Sequence, residues 1–230
     1  MARFTDFDFG LTGLAGQFHQ DWTYAGSVDD IALLQLTVEE PNADAEFDAK
    51  REAAAIVDDV ARLTGSALTD EQIALLWTAA TEGNYRFNAG ETGRDLLRRI
   101  GSTCSQWQRV HGEVKPEYEP GWHSPGATAR VREAINGASL SFPEHSRFDW
   151  IFGSDDSEGI IAALREALDL SARSASPELA FRLLLRVHLG LLLPVDRASW
   201  ERYQRLADEF SYGEFLRSSL EFLVDGAPGN

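Results

Sequence analysis

The sequence has a single cysteine, Cys104, among its 230 residues. The chain therefore cannot form an intramolecular disulfide, and nothing in it indicates an oxidising compartment. Residues 1–25 include Asp6 and Asp8, and they lack a basic segment followed by an apolar core, so we expect no secretory signal. These absences favour a cytoplasmic protein.

Long hydrophobic runs are also missing. The most apolar stretch, 179–193, is interrupted by Arg182, Arg186 and His188. A helix that crosses a bilayer needs about 20 mainly apolar residues. We therefore predict no membrane-spanning segment.

Positive charge is scarce relative to negative charge. Lysine and arginine number 21 against 37 aspartates and glutamates, so the formal net charge is -16. Such an excess of carboxylate repels nucleic acid and anionic membrane surfaces. It favours a basic protein partner, because complementary charge speeds association. A second interpretation is that the acidity only keeps the protein soluble.

Motifs for catalysis, metals and cofactors are absent as well. There is no His-x-x-x-His or Cys-x-x-Cys spacing and no glycine-rich phosphate loop. Cys104 lies one turn before Trp107 on a striped helix, which predicts a small residue facing the core. We therefore predict a protein without enzymatic activity, metal or cofactor, although a hydrolase that uses Cys104 or His19 stays as an alternative.

Helix-capping patterns recur along the chain. Capping boxes begin at Ser27, Thr69 and Ser211, and Thr92 caps a further predicted helix. In such a box the two side chains each satisfy a backbone N–H of the first turn. These patterns predict helix starts in both halves of the chain.

Apolar residues follow these starts at helical spacing. One inward stripe includes Ile31 and Leu34, and another includes Ile100 and Val110. The run 177–193 is apolar on most sides, so we expect it to be the central buried helix of the second half. Since no segment alternates between hairpin turns, we predict an all-α helical bundle.

The chain also shows signs of a tandem organisation. Prolines and polar residues concentrate in 113–125, which reads as a linker between modules 1–112 and 126–230. The order of residues after Asp149-Trp150 repeats, with one-residue gaps, the order after Asp21-Trp22. A period near 128 residues suggests two related helical modules.

The N-terminal segment carries a family resemblance. Its central residues are Phe18-His19-Gln20-Asp21-Trp22. Gly26-Ser27, Asp29-Asp30 and a helix follow. This pattern resembles the signature of immunity proteins of contact-dependent growth inhibition systems, the CdiI-type family. The likeness continues in the segment from Thr92 to Ile100, which is similar to that family's closing helix, and it covers roughly the first 110 residues.

The resemblance implies a cytoplasmic antidote that binds one toxin domain, most often a basic nuclease, and does no chemistry itself. The chain departs from the family in being about twice as long as a single-module member. Residues 19 and 21 on a helix would be offset by about 200°, which disfavours convergence on one atom. We therefore assign a structural role to the aromatic and polar motif, whose members are Phe18, His19, Gln20, Asp21, Trp22, Asp149 and Trp150.

Two acidic clusters are the candidate toxin-binding surfaces. The first lies at a predicted helix junction and consists of Glu39, Glu40, Asp44, Glu46 and Asp48. The second consists of Asp155, Asp156 and Glu158. The main alternative function is a generic acidic helical interaction or regulatory module without enzymatic activity. The sequence leaves the oligomeric state open.

Overall fold

The computed structural model describes residues 6–18, 27–37, 43–115, 120–141, 148–153 and 156–224. Within these ranges the chain forms eleven α-helices and no β-strand, which confirms the predicted all-α fold. Extended pairing is limited there to one isolated bridge between Val195 and Val224.

The helices have the following bounds in chain order: α1 Gly10–Gly16, α2 Val28–Gln35, α3 Ala43–Thr64, α4 Asp70–Ala80, α5 Gly93–His111, α6 Pro125–Gly137, α7 Phe148–Phe152, α8 Ser157–Ser174, α9 Pro177–Leu191, α10 Arg197–Glu209 and α11 Glu214–Ser218. Short 3-10 turns occupy Pro120–His123 and Glu221–Leu223. None of the helices in the described ranges has the length and apolarity that a bilayer span needs.

Local capping chemistry sets most of the helix starts. The capping boxes at Ser27 and Thr69 are present, and Thr92 forms a third one with Asp95. The predicted box at Ser211 is wrong. Ser211 has a φ of 56°, and α11 begins after Gly213, whose N-cap position receives no side-chain hydrogen bond.

Two of the predicted stripe positions are wrong, although the helices themselves are present. Leu34 is exposed, because the buried face of α2 is centred on Val28 and Ala32 instead. Val110 is exposed in the last turn of α5, beyond the last buried residue of that helix, Gln108. Ile31 and Ile100, by contrast, lie in the core as predicted.

Helix α9 is buried, as predicted for this run, and its contacts extend beyond the second half of the chain. Thirteen of its 15 residues are buried. It packs against α6 and α8 of the C-terminal half and against α1 and α4 of the N-terminal half. A helix that contacts neighbours all around has no solvent face, which explains its nearly continuous apolar sequence.

The hydrophobic core is continuous across the two halves of the chain. Gly190 of α9 lies so close to α4 that a Cβ there would collide with the carbonyl oxygen of Ala79. Trp122, inside the predicted linker 113–125, is also buried in this core. The core is therefore continuous across the predicted boundary, and the division into two modules stays a prediction.

Candidate functional site

The first predicted acidic cluster is only partly described. Glu39 and Glu40 lie outside the described residues, and Asp44 and Glu46 belong to the first turn of α3. Asp48 follows in the next turn, where its exposed carboxylate lies 3.9 Å from Arg51. An exposed pair at this distance contributes little to stability.

The second predicted cluster divides between a structural residue and an exposed one. Asp155 lies outside the described residues, whereas Asp156 is the N-cap of α8 and accepts the backbone N–H of Gly159 at 2.9 Å. Glu158 is exposed on a shallow groove of about 470 Å³ along α8. Helix capping therefore accounts for Asp156, and Glu158 stays a surface candidate.

Phe18 is the described member of the N-terminal aromatic motif. It is buried and makes edge-to-face contacts with Trp77 at 5.6 Å and with Tyr85 at 5.8 Å between ring centroids. Such aromatic contacts stabilise a core. The rest of the pentapeptide lies outside the described residues, namely His19, Gln20, Asp21 and Trp22.

The second copy of the motif lies in α7, which contains Asp149 and Trp150. Trp150 is exposed, and the guanidinium of Arg86 lies 5.8 Å from its ring centroid. The next residue, Ile151, is buried and packs against Gly83. Ile151 therefore anchors this short helix to the core, and the partly buried Phe152 packs beside it.

An open groove of about 790 Å³ lies where the segment before α1 meets α10 and α11. Its walls include Asp6, Trp200, Gln204, Glu214, Arg217 and Glu221. We call this the C-terminal groove. Sequence reasoning missed it, because residues from both ends of the chain form it.

Two phenylalanines stack beside this groove. The rings of Phe7 and Phe215 lie 4.7 Å apart at an interplanar angle of 9°. Both side chains are nevertheless exposed, by 64% and 55% respectively. We call this pair the aromatic platform.

The C-terminal groove is lined mainly by negative charge. Asp6, Glu214 and Glu221 face a single cation, Arg217, which forms an ion pair with Asp208 at 2.8 Å. In the described part of the chain, neither Glu214 nor Glu221 has an ion pair or a side-chain hydrogen bond. The groove therefore presents an excess of solvated carboxylate next to exposed aromatic rings.

A buried polar network holds in place the N-terminal segment that carries Phe7 of the platform. Arg182 donates from Nη1 to the carbonyl oxygen of Phe9 at 2.7 Å and to Oγ1 of Thr12 at 3.0 Å. Its guanidinium also lies 4.2 Å from the centroid of the Phe9 ring. The backbone N–H groups of Gly10 and Leu11 donate to carboxyl oxygens of two α3 side chains, each at 3.0 Å.

Those two carboxyl groups belong to Glu52 and Asp59, and both are buried. Burial raises the pKa of Glu52 to about 8, so this group is largely protonated at neutral pH. Burial also raises the pKa of Asp59, to about 6, although the adjacent Arg182 opposes that shift. A guanidinium stays charged under all ordinary conditions, so Asp59 is its buried counter-ion.

The same network reaches the wall of the C-terminal groove. Glu178 accepts hydrogen bonds from Nε of Arg182 at 2.6 Å and from the phenol of Tyr212 at 2.7 Å. Tyr212 lines the groove, but its hydroxyl points inward to this bond. Because these groups are enclosed by packed side chains, the network serves to position the chain.

Of the two residues considered for catalysis, Cys104 lies in the core and His19 lies outside the described residues. Cys104 is fully buried, as predicted, and burial raises the pKa of its thiol to about 12. His188 is also buried, and burial lowers its pKa to about 4. Its ring nitrogens form hydrogen bonds with the Leu193 carbonyl oxygen at 3.2 Å and with the Tyr203 hydroxyl at 3.0 Å. A protonated, enclosed thiol is not a reactive nucleophile.

Within the described ranges, no group of three or more histidine, cysteine, aspartate and glutamate side chains is arranged to hold a metal ion. Comparisons with protein-family models, with curated protein sequences and with solved structures find no match for this chain. The resemblance to CdiI-type immunity proteins therefore stays a prediction that rests on the residues quoted for it.

Proposed function

We propose that this protein is a non-catalytic binding protein whose partner is a basic protein domain. The aromatic platform carries the proposal. Phe7 and Phe215 are exposed by 64% and 55%, although they form a stacked pair that is held in place by the fold. Exposed aromatic clusters with polar surroundings mark interaction sites, and aromatic side chains provide much of the binding energy at interfaces.

The sign of the charge selects the kind of partner. The chain has a formal net charge of -16, and the C-terminal groove beside the platform has an excess of carboxylates. This charge accelerates the approach of a basic protein and opposes the approach of nucleic acid or an anionic membrane. The platform then supplies the apolar contact that keeps the partner bound.

The resemblance of the N-terminal segment narrows the partner to a toxin domain. In this proposal the protein acts in the cytoplasm as a stoichiometric antidote to a contact-dependent or polymorphic toxin, most simply a basic nuclease. Bound at the platform, it covers the positively charged surface along which the toxin would take its phosphate substrate. No cofactor and no turnover are required.

Co-expression tests the proposal directly. In this proposal a large secreted toxin is encoded beside the gene, and the C-terminal domain of that neighbour is induced in a bacterial host with and without this chain. We expect growth to be rescued and a 1:1 complex to form in calorimetry. The variant Phe7→Ala/Phe215→Ala should lose rescue, whereas Phe222→Ala, which removes another exposed ring, should keep it.

Unchanged killing by the toxin domain in the presence of the folded chain would overturn the antidote proposal. Equal rescue by the platform variant and by Phe222→Ala would instead move the binding surface away from the platform. Charge reversal at Glu39, Glu40 and Asp44 tests the first acidic cluster in the same assay, through slower association at low salt.

A further inference from the structure

We infer that the C-terminal groove receives an arginine side chain of the basic partner, so that this groove selects the partner after the aromatic platform has engaged it. The inference rests on the proposed function and gives it a chemical specificity. It depends on an aromatic side chain and two exposed carboxylates that line the groove, namely Trp200, Glu214 and Glu221.

The groove combines the two kinds of group that recognise a guanidinium. Trp200 of α10 is half-buried against the core and contributes to the groove wall. Glu214 and Glu221 are exposed at the same groove. An arginine can stack its planar guanidinium on an aromatic face while it donates paired N–H groups to a carboxylate.

The groove's own cation does not neutralise these carboxylates. Arg217 lies 2.8 Å from Asp208, and its backbone carbonyl accepts a hydrogen bond from Gln204 at 2.9 Å. These contacts account for Arg217 within the fold. The charge of Glu214 and Glu221 is therefore offered to a cation from outside, and a basic partner supplies one.

The platform and the groove share their framework. Gly213 lies so close to Asp6 that a Cβ at this position would collide with the Asp6 carboxylate. This contact brings the segment that carries Phe7 against the segment that carries Phe215 and Glu214. A partner that covers the stacked rings therefore reaches the groove with the same surface.

A pair of labelled peptides tests the inference without the toxin. One is a fluorescein-labelled decapeptide of alternating arginine and glycine, and the other has lysine in place of arginine. Fluorescence anisotropy measures their affinity for the full chain at low and at physiological salt. We expect the arginine peptide to bind about tenfold more tightly than the lysine peptide, since only a guanidinium stacks and pairs at once.

Two double variants provide a matched comparison. Glu214→Gln/Glu221→Gln removes two charges from the groove, and Glu71→Gln/Glu166→Gln removes two exposed charges from α4 and α8. Both variants change the net charge equally. We expect the groove variant to bind the arginine peptide about tenfold more weakly than the control variant does. Trp200→Leu should abolish the preference for arginine over lysine, with an unchanged circular dichroism spectrum as the check on folding.

Equal losses in the two double variants would show attraction by total charge alone and would overturn the inference. So would a dimer in sedimentation that is lost in Phe7→Ala/Phe215→Ala, because a second copy would then occupy this face. If the toxin is neutralised equally well by Glu214→Gln/Glu221→Gln, the groove inference fails and the proposed function stands. If the peptides behave as expected but the toxin is not neutralised by the unmodified chain, the proposed antidote function fails and the arginine-binding groove stands.

Discussion

Arg182 donates from a single nitrogen, Nη2, to both carboxylate oxygens of Asp59, at 2.9 and 3.0 Å, in a pair that is fully buried. The two residues lie 123 positions apart, one on α9 and the other on α3. Glu178 completes the set as a second acidic partner of the same guanidinium. This ion pair joins the N-terminal half of the chain to its central helix.

Replacing the cation should therefore destabilise the fold strongly. Arg182→Met leaves Asp59 and Glu178 buried without their counter-ion, and we expect the free energy of unfolding to fall by about 3–5 kcal/mol. Urea denaturation measures this loss. Arg197→Met is the control, because its pair with Glu201 is exposed by 77% and 58% and should contribute less than about 1 kcal/mol. Similar losses in both variants would show that the buried ion pair of Arg182 contributes no more to stability than an exposed one.

Stability should depend on pH through Glu52. Burial raises its pKa from 4.5 to about 8, so the folded state retains a proton that the unfolded state releases. Between these two values the unfolded state binds fewer protons, and the free energy of unfolding decreases as the pH rises. The stabilisation is complete below about pH 4.5 and is lost once the pH exceeds about 8.

The variant Glu52→Gln imitates the protonated form and keeps an acceptor for the Gly10 N–H. Relative to the unmodified chain it should gain stability as the pH is raised from 5 to 8.5, by an amount of the order of 3 kcal/mol. Urea denaturation at several pH values measures the difference between the two proteins. A difference that stays constant across this pH range would show that Glu52 is ionised throughout and would contradict the prediction.

The close approach of α4 and α9 makes Gly190 sensitive to a single methyl group. In an open helix, glycine to alanine stabilises by about 1 kcal/mol. Here the added Cβ would collide with the Ala79 carbonyl oxygen, and we expect a loss of about 1–3 kcal/mol instead. Gly126→Ala in α6 should be neutral or stabilising, because its nearest neighbour is the flexible end of Arg130 at 3.2 Å. A stabilising Gly190→Ala would mean that the two halves are not packed in this way.

The aromatic platform should be detectable as a coupling energy. Because Phe7 and Phe215 stack, a double-mutant cycle with Phe7→Ala and Phe215→Ala should give a coupling of about 0.5–1.5 kcal/mol. Phe222 is exposed by 66% and makes no ring contact in the described ranges, so Phe7→Ala and Phe222→Ala should be additive. Additivity in both cycles would place Phe7 away from α11.

Local patterns in the sequence predicted which segments are helical. They predicted less well where one helix begins and which face of a helix is buried. The boxes at Ser27 and Thr69 depend on residues within one turn, so sequence reading finds them. Ser211 has the same local pattern, yet its φ of 56° breaks the helix there, because the chain turns to bring Tyr212 into the core. Leu34 shows the same limit, since the direction of a helix's buried face depends on which neighbouring helix packs against it.

The sequence by itself determined the all-α fold, the burial of α9, the burial of Cys104 and the strongly negative charge. Each of these follows from residue type and from spacing within a few turns. Only the tertiary structure decided which buried charges pair and which surface aromatic rings meet. Arg182 with Asp59, and Phe7 with Phe215, come from distant parts of the chain. Their partners are selected by the packing of whole helices, and no local pattern records that packing.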